Sequence, residues 1–216
     1  MTEARQTLAG GLVVFFEGID GVGKTTQLEM AAEDLRGEGW AVETTRAHGG
    51  TDIGEALRQV SLSDTPRPVE SDMYISLAIH AALVQKIAEY RQQGRIVLID
   101  RGPLSMAAYQ MYGDGFDREQ GWEYVARELE LFAPELNIVY TAAVTVAMER
   151  ARQRSKAKSD YFESKPEGYF DAARQGYLDA AARFGATVLD AEQSIQQVHA
   201  QTMEAIQAAL AAKRSR

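Results

Sequence analysis

Residues 18–25, Gly18-Ile19-Asp20-Gly21-Val22-Gly23-Lys24-Thr25, constrain this chain more than any other stretch. They fit G-x-x-x-x-G-K-[ST], a loop that binds phosphate with its own backbone. The glycines let successive N–H groups turn inward toward phosphate oxygens. Lys24 supplies a point charge for the β- and γ-phosphates, and the Thr25 hydroxyl is placed to ligate Mg²⁺. The flanks agree. Leu12-Val13-Val14-Phe15-Phe16 is a short apolar run of buried-strand type. The segment from Thr26 onward favours a helix, whose N-terminus adds a positive dipole end. The four fixed positions match by accident in about one chain of this length per hundred or more, before the strand and helix are required. Gly18, Asp20, Gly21, Val22, Gly23, Lys24, Thr25 and Thr26 are therefore the expected ATP-binding residues.

The rest of the chain supplies a frame for such a loop. Apolar runs near Leu12–Glu17, Trp40–Thr45, Ile96–Asp100, Leu136–Thr141 and Thr187–Asp190 read as five strands. Helices are expected over Lys24–Arg36, Ile53–Ser61, Ser71–Gln93, Leu104–Tyr112, Gln120–Phe132, Val144–Gln153, Pro166–Arg183 and Gln193–Lys213, with loops at Thr65–Pro68 and Tyr112–Gly115. Buried strands alternating with helices predict an α/β doubly wound fold, a five-stranded parallel sheet covered on both faces, with ligands at the strand C-terminal edge. At 216 residues, one domain spanning 1–216 is expected.

Composition removes other classes. The net charge of −8 argues against a protein that grips a nucleic acid polymer, which needs a basic face. No apolar run reaches the roughly 18 residues of a membrane span. The start, Met1-Thr2-Glu3-Ala4-Arg5, lacks the pattern of a secretory signal. Cysteine is absent, which excludes disulfides and thiolate chemistry and fits a cytoplasmic setting.

Three further segments carry chemistry. Ile96-Val97-Leu98-Ile99-Asp100-Arg101 ends an apolar strand in a carboxylate suited to the metal's water shell, followed by a cation within reach of phosphate. Thr45-Arg46 and Gly49-Gly50 follow the second strand, where the planar fork of Arg46 suits the phosphate of a second nucleotide. Arg58 is ambiguous between that role and a surface helix charge. The stretch from Glu149 to Lys158 holds Arg150, Arg152, Arg154, Lys156 and Lys158, then enters a polar segment read as a lid over about 153–168. A closing lid excludes water and brings charge to the transition state.

Together these segments resemble the thymidylate kinases, a branch of the P-loop nucleoside monophosphate kinases. Phe16 to Gln27 reads like that family's first signature; Thr45-Arg46, Gly49-Gly50-Thr51 and Gly54-Glu55 match its second; Asp100-Arg101, Ser105 and Ala108-Tyr109-Gln110 fall at the spacing of its third. Gly176-Tyr177-Leu178 and Val188-Leu189-Asp190-Ala191 look like its later helix and strand. The resemblance implies the P-loop NTPase fold, a homodimer, and phosphoryl transfer from ATP, with Mg²⁺, to dTMP or a related deoxynucleotide. It further implies that Asp20 meets the acceptor's sugar hydroxyl, that Arg46 and Arg101 hold its phosphate, that Tyr109 crowds the 2′ position, and that Asp100 supports the metal. Members with glycine at the place of Gly21 draw their catalytic arginine from the lid, which points to Arg150, Arg152 or Arg154, with Arg154 taken as the candidate beside Lys24, Arg101 and Asp20.

This chain departs from the family pattern where the base is read. Ser76 and His80 stand near the positions of a Phe and an Arg that stack on and bond thymine, and Met106 lies where a polar residue is usual. Gly102-Pro103 follows Asp100-Arg101 in place of an aromatic residue, Ala47-His48 replaces an acidic residue and Pro, and the lid's Asp-Arg appears as Asp160-Tyr161. Ser76, His80, Ser105 and Tyr109 complete the expected acceptor side. Three alternatives stay open: a kinase for a different or modified nucleotide; a nucleoside kinase using Glu17 as base; and a P-loop ATPase switch. The third is disfavoured as a GTPase-like switch, because the one asparagine, Asn137, cannot supply an Asn-Lys-x-Asp guanine motif.

Overall fold

A strand that must be covered on both faces carries apolar residues at every position, and β1 (Leu12–Glu17) does so throughout, with all six residues buried. The computed structural model describes residues 5–63, 65–154 and 165–215. Around β1 run β2 (Val42–Arg46), β3 (Ile96–Asp100), β4 (Leu136–Thr141) and β5 (Thr187–Asp190), in the order β2-β3-β1-β4-β5. Every pairing is parallel. Alternate side chains of β1 feed two separate cores, as a two-residue repeat requires. Leu12, Val14 and Phe16 join one cluster, while Val13 and Phe15 join another with Leu83, Ile87 and Phe132.

The helices are α1 (Lys24–Gly37), α2 (Asp52–Ser61), α3 (Val69–Gln92), α4 (Pro103–Met106), α5 (Arg118–Phe132), α6 (Val144–Arg154), α7 (Tyr169–Phe184) and α8 (Ile195–Arg214). Parallel pairing puts the C-terminal ends of the strands along one edge. Arg46, Asp100, Phe16 and Ile138 stand in register across it, so charged residues from two strands, β2 and β3, reach one line.

Three expectations need correction. The strand expected over Trp40–Thr45 runs from Val42 to Arg46; Trp40 instead makes an isolated bridge to Gln6. The helix expected over Leu104–Tyr112 is a single α turn, α4, followed by a π-helix over Ala107–Gly113, which takes in part of the expected loop at Tyr112–Gly115. The helix expected from Pro166 begins at Tyr169, after Gly168 in the left-handed region. Most of the lid expected over 153–168, including Lys156, Lys158, Asp160 and Tyr161, lies outside the described residues. Among the described residues no helix is long and apolar enough to cross a membrane.

Candidate active site

The phosphate loop joins β1 to α1, and its shape depends on Gly18 and Gly21. Both have positive φ, 134° and 88°, and a Cβ on either would overlap a backbone carbonyl, of Tyr140 and of Ala147 respectively. The second contact seats the loop against α6. Lys24 opens α1 with its ammonium buried, donating to the Ile19 carbonyl at 2.9 Å. Burial lowers its pKa to about 8 and the Arg101 charge adds to this, while Asp20, Asp100 and Glu17 oppose it. The side chain therefore remains a cation at neutral pH.

Next to it, the Thr25 hydroxyl donates to Asp100 Oδ2 at 2.8 Å. The other carboxylate oxygen, Oδ1, is buried with no hydrogen-bond partner. Buried acceptors are nearly always satisfied. An orphaned carboxylate oxygen beside a hydroxyl, at the mouth of a phosphate loop, is the donor set of a hard divalent cation, and it fits Mg²⁺.

Arg101 is the hub of the opposite wall. Its backbone sits at φ 66°, a left-handed conformation that costs a non-glycine residue roughly 1–2 kcal/mol. The bend sends its amide to the Phe16 carbonyl at 2.9 Å and its guanidinium back across the loop. Nη2 meets Asp20 Oδ1 at 2.8 Å; Nη1 donates to Tyr177 Oη at 3.0 Å and Tyr109 Oη at 3.1 Å. The charge also lies 5.0 Å from the centre of the Tyr109 ring, a cation–π distance. Tyr177 Oη pairs with Ser105 Oγ at 2.8 Å, and Ser105 Oγ donates to Glu17 Oε2 at 2.7 Å. Glu17 Oε1 accepts the Leu104 amide at 3.0 Å. Glu17 is wholly buried at the end of β1, and that burial pushes its pKa up to about 7 against the Ser105 hydrogen bond and the charges of Arg101 and Lys24.

The remaining expected residues divide. Arg46 forks onto Glu55, with Nε to Oε1 at 3.1 Å, and Glu55 also accepts the Gly50 amide at 2.8 Å. Arg58 is half-buried and donates to the His48 carbonyl at 2.8 Å. Burial, with Arg58 beside it, drives the His48 pKa down to about 3, so its ring is neutral and bonds Ser61 Oγ at 2.9 Å. Arg154, at the last residue of α6, donates to Thr26 Oγ1 at 2.8 Å and so reaches the first turn of α1. Arg150 is turned elsewhere, to the Ala191 carbonyl at 2.8 Å.

Ser76 and His80 face a different setting from the one expected. Ser76 Oγ bonds the Asp72 carbonyl within its own helix at 3.0 Å. His80 is buried between α3 and α5, with Nδ1 3.2 Å from Glu128 Oε2 and its ring edge-on to Phe132. Both have partners of their own inside the protein.

The model of the thymidylate kinase family matches residues 16–202, which takes in every residue of the site just described. The chain belongs to the thymidylate kinase family. Thymidylate kinase from Burkholderia lata is 37% identical over 214 residues, covering 94% of this chain and all of that one. The thymidylate kinase of Paracidovorax citrulli is 35% identical over 211 residues, covering 90% of this chain and 91% of its own. The crystal structure of thymidylate kinase from Ehrlichia chaffeensis shares the fold, with a TM-score of 0.70 over 92% of this chain and 99% of that one, at 24% identity.

In this member of the thymidylate kinase family, the contacts of three residues are not read from motifs. Tyr177 falls in the Gly176-Tyr177-Leu178 match, but its bond to Arg101, 76 positions away, has no local signal. Glu17 gives one, a charge ending an apolar strand, but reads only as a base. Arg58 stands three residues after Glu55 on one helix, the spacing of a shared face.

Proposed function

We propose that the protein transfers the γ-phosphoryl group of ATP to the phosphate of dTMP or a closely related deoxynucleotide, giving the diphosphate and ADP. One observation carries this reading. A guanidinium, that of Arg101, is fixed directly beside a phosphate loop and its metal-fitting pair, so two anions can be held next to each other. ATP lies along Gly18–Thr26, with Lys24 on its terminal phosphates. Thr25 and Asp100 would hold Mg²⁺, which when bound neutralises charge on the transferring phosphates. Arg101 and Arg46 receive the acceptor phosphate, Asp20 its sugar hydroxyl, and Tyr109 closes the 2′ side. An acceptor phosphate is a nucleophile already, so the reaction depends on in-line positioning and charge rather than on a base. Arg154, at the start of the lid over 153–168, adds positive charge at the loop. The enzyme works as one domain over 1–216.

The base is the open variable, because Ser76 and His80 are engaged internally and Met106 is buried. Purified protein incubated with ATP, Mg²⁺ and each nucleoside monophosphate in turn, with ADP release followed, tests the reading. Fastest turnover on dTMP supports it. A different preferred base moves the assignment to another nucleotide kinase, and equal turnover with no acceptor points to an ATPase switch.

A homodimer fits the surface. Helix α2 buries only Gly54 among its residues and leaves Ile53 and Val60 exposed, 58% and 48%. Light scattering is expected to give twice the mass of one chain, and Ile53→Asp to halve it. A wild-type monomer would remove this proposal.

A further inference from the structure

Glu17 has no part in phosphoryl transfer as described, yet it is the most deeply buried carboxylate at the site. We propose that Glu17 is a positioning residue, which acts through Ser105 and Tyr177 to hold the Arg101 guanidinium in the attitude that receives the acceptor phosphate. This rests on the acceptor role given to Arg101.

The argument is one of hydrogen-bond direction. Glu17 takes the Leu104 amide on Oε1 and the Ser105 hydroxyl on Oε2, the pattern of an ionised carboxylate. Ser105 has one hydrogen, and it is spent on Glu17. In the 2.8 Å contact between Ser105 and Tyr177, the donor must therefore be Tyr177. With its hydrogen committed, the Tyr177 oxygen faces Arg101 as an acceptor, which suits a guanidinium that can only donate. All links run one way, from Arg101 to Glu17. The ring of Tyr177 is fully buried and edge-on to Tyr109 at 6.0 Å, so the oxygen cannot turn to water for a substitute. The carboxylate thus sets the polarity of a chain that ends on the phosphate-gripping arginine.

Glu17→Gln keeps the shape and spoils the direction. Its amide presents a donor either to the Leu104 N–H or to the Ser105 hydroxyl. In the first case donors oppose each other; in the second Ser105 turns around and the Tyr177 hydrogen is stranded. Steady-state kinetics on E17Q is expected to show a KM for dTMP raised roughly 5- to 10-fold, the scale of one spoiled buried hydrogen bond. KM for ATP should stay within about twofold. S105A cuts the same chain and should give the same split, and the E17Q/S105A double variant should be no worse than the poorer single one. S105A carries the test if E17Q does not fold. Equal rises in both KM values, or additive losses in the double variant, would overturn the inference. R101A separates the two levels. A raised KM for dTMP in R101A with an unchanged one in E17Q or S105A defeats the positioning role alone, whereas an unchanged KM in R101A defeats the acceptor reading and this inference with it.

Discussion

Lys24→Ala is expected to lower kcat by on the order of 10²–10³, the usual effect of deleting one preorganised charge from a transition-state site. The fold should survive the change. The ammonium is buried and makes a single described hydrogen bond, to the Ile19 carbonyl, and burial holds its pKa at about 8, below the 10.5 of an exposed lysine. A cation whose pKa falls on folding is bound less tightly by protons in the native state, so it opposes folding below about pH 8. That penalty is relieved as pH rises from there toward 10.5. Removing it at neutral pH should leave the thermal midpoint level or raised. Initial rates of ADP release and a melting curve check both halves; wild-type turnover from the purified variant would dismiss the phosphate-loop assignment. Arg154→Ala is the milder companion, with roughly a tenfold drop in kcat expected, since its contact with Thr26 is exposed. An unaltered rate would shift that role to another lid cation.

Arg101→Ala should cost roughly 30- to 1000-fold in kcat/KM for the acceptor, because truncating a half-buried, hydrogen-bonded charge also takes a bond from each of its partners. Asp20 and Tyr177 each lose a bond of 3.0 Å or less. Arg101→Gly makes a useful pair with it. Both lose the guanidinium, but only glycine accepts φ 66° without strain, so the glycine variant should be the more stable by about 1–2 kcal/mol. Equal stability would mean that the backbone relaxes once the side chain is gone. A fully active alanine variant would remove Arg101 from the acceptor's phosphate.

The sheet was legible because its signals are local. Four of the five strands end where apolar runs end, and the phosphate loop is spelled out in consecutive residues. Trp40 misleads for a physical reason: a large apolar residue beside a strand is buried whether or not it joins the ladder, and here it pairs with Gln6. The π-helix is equally hidden, since Leu104–Tyr112 has ordinary helical composition and the wider turn is set by what packs on it. Gly176 brings α7 against the backbone of Ala107 and Ala108. At the site, Lys24, Thr25, Asp100 and Arg101 follow from motif spacing. The pairing of His80 with Glu128 does not, because it joins helices 48 positions apart and depends on how α3 and α5 dock. Arg46 is likewise seen in sequence as a cation at a strand edge, whereas its fork onto Glu55 requires the fold of the intervening glycine turn.

The wide turn over Ala107–Gly113 has a consequence for Tyr109. The amide of Asp114 reaches back five residues to the Tyr109 carbonyl at 2.8 Å, and that surplus residue rotates everything after it relative to an ordinary helix. Tyr109 and Tyr112 therefore face different neighbours, one the guanidinium of Arg101 and the other Asp179 and Trp122. Shortening the segment by one position would re-aim the downstream ring by about a quarter turn or more while leaving every upstream letter in place. Azimuth along this stretch is encoded by residue count, and a chain with the same amino acids but a tighter coil would present a differently shaped wall to the sugar.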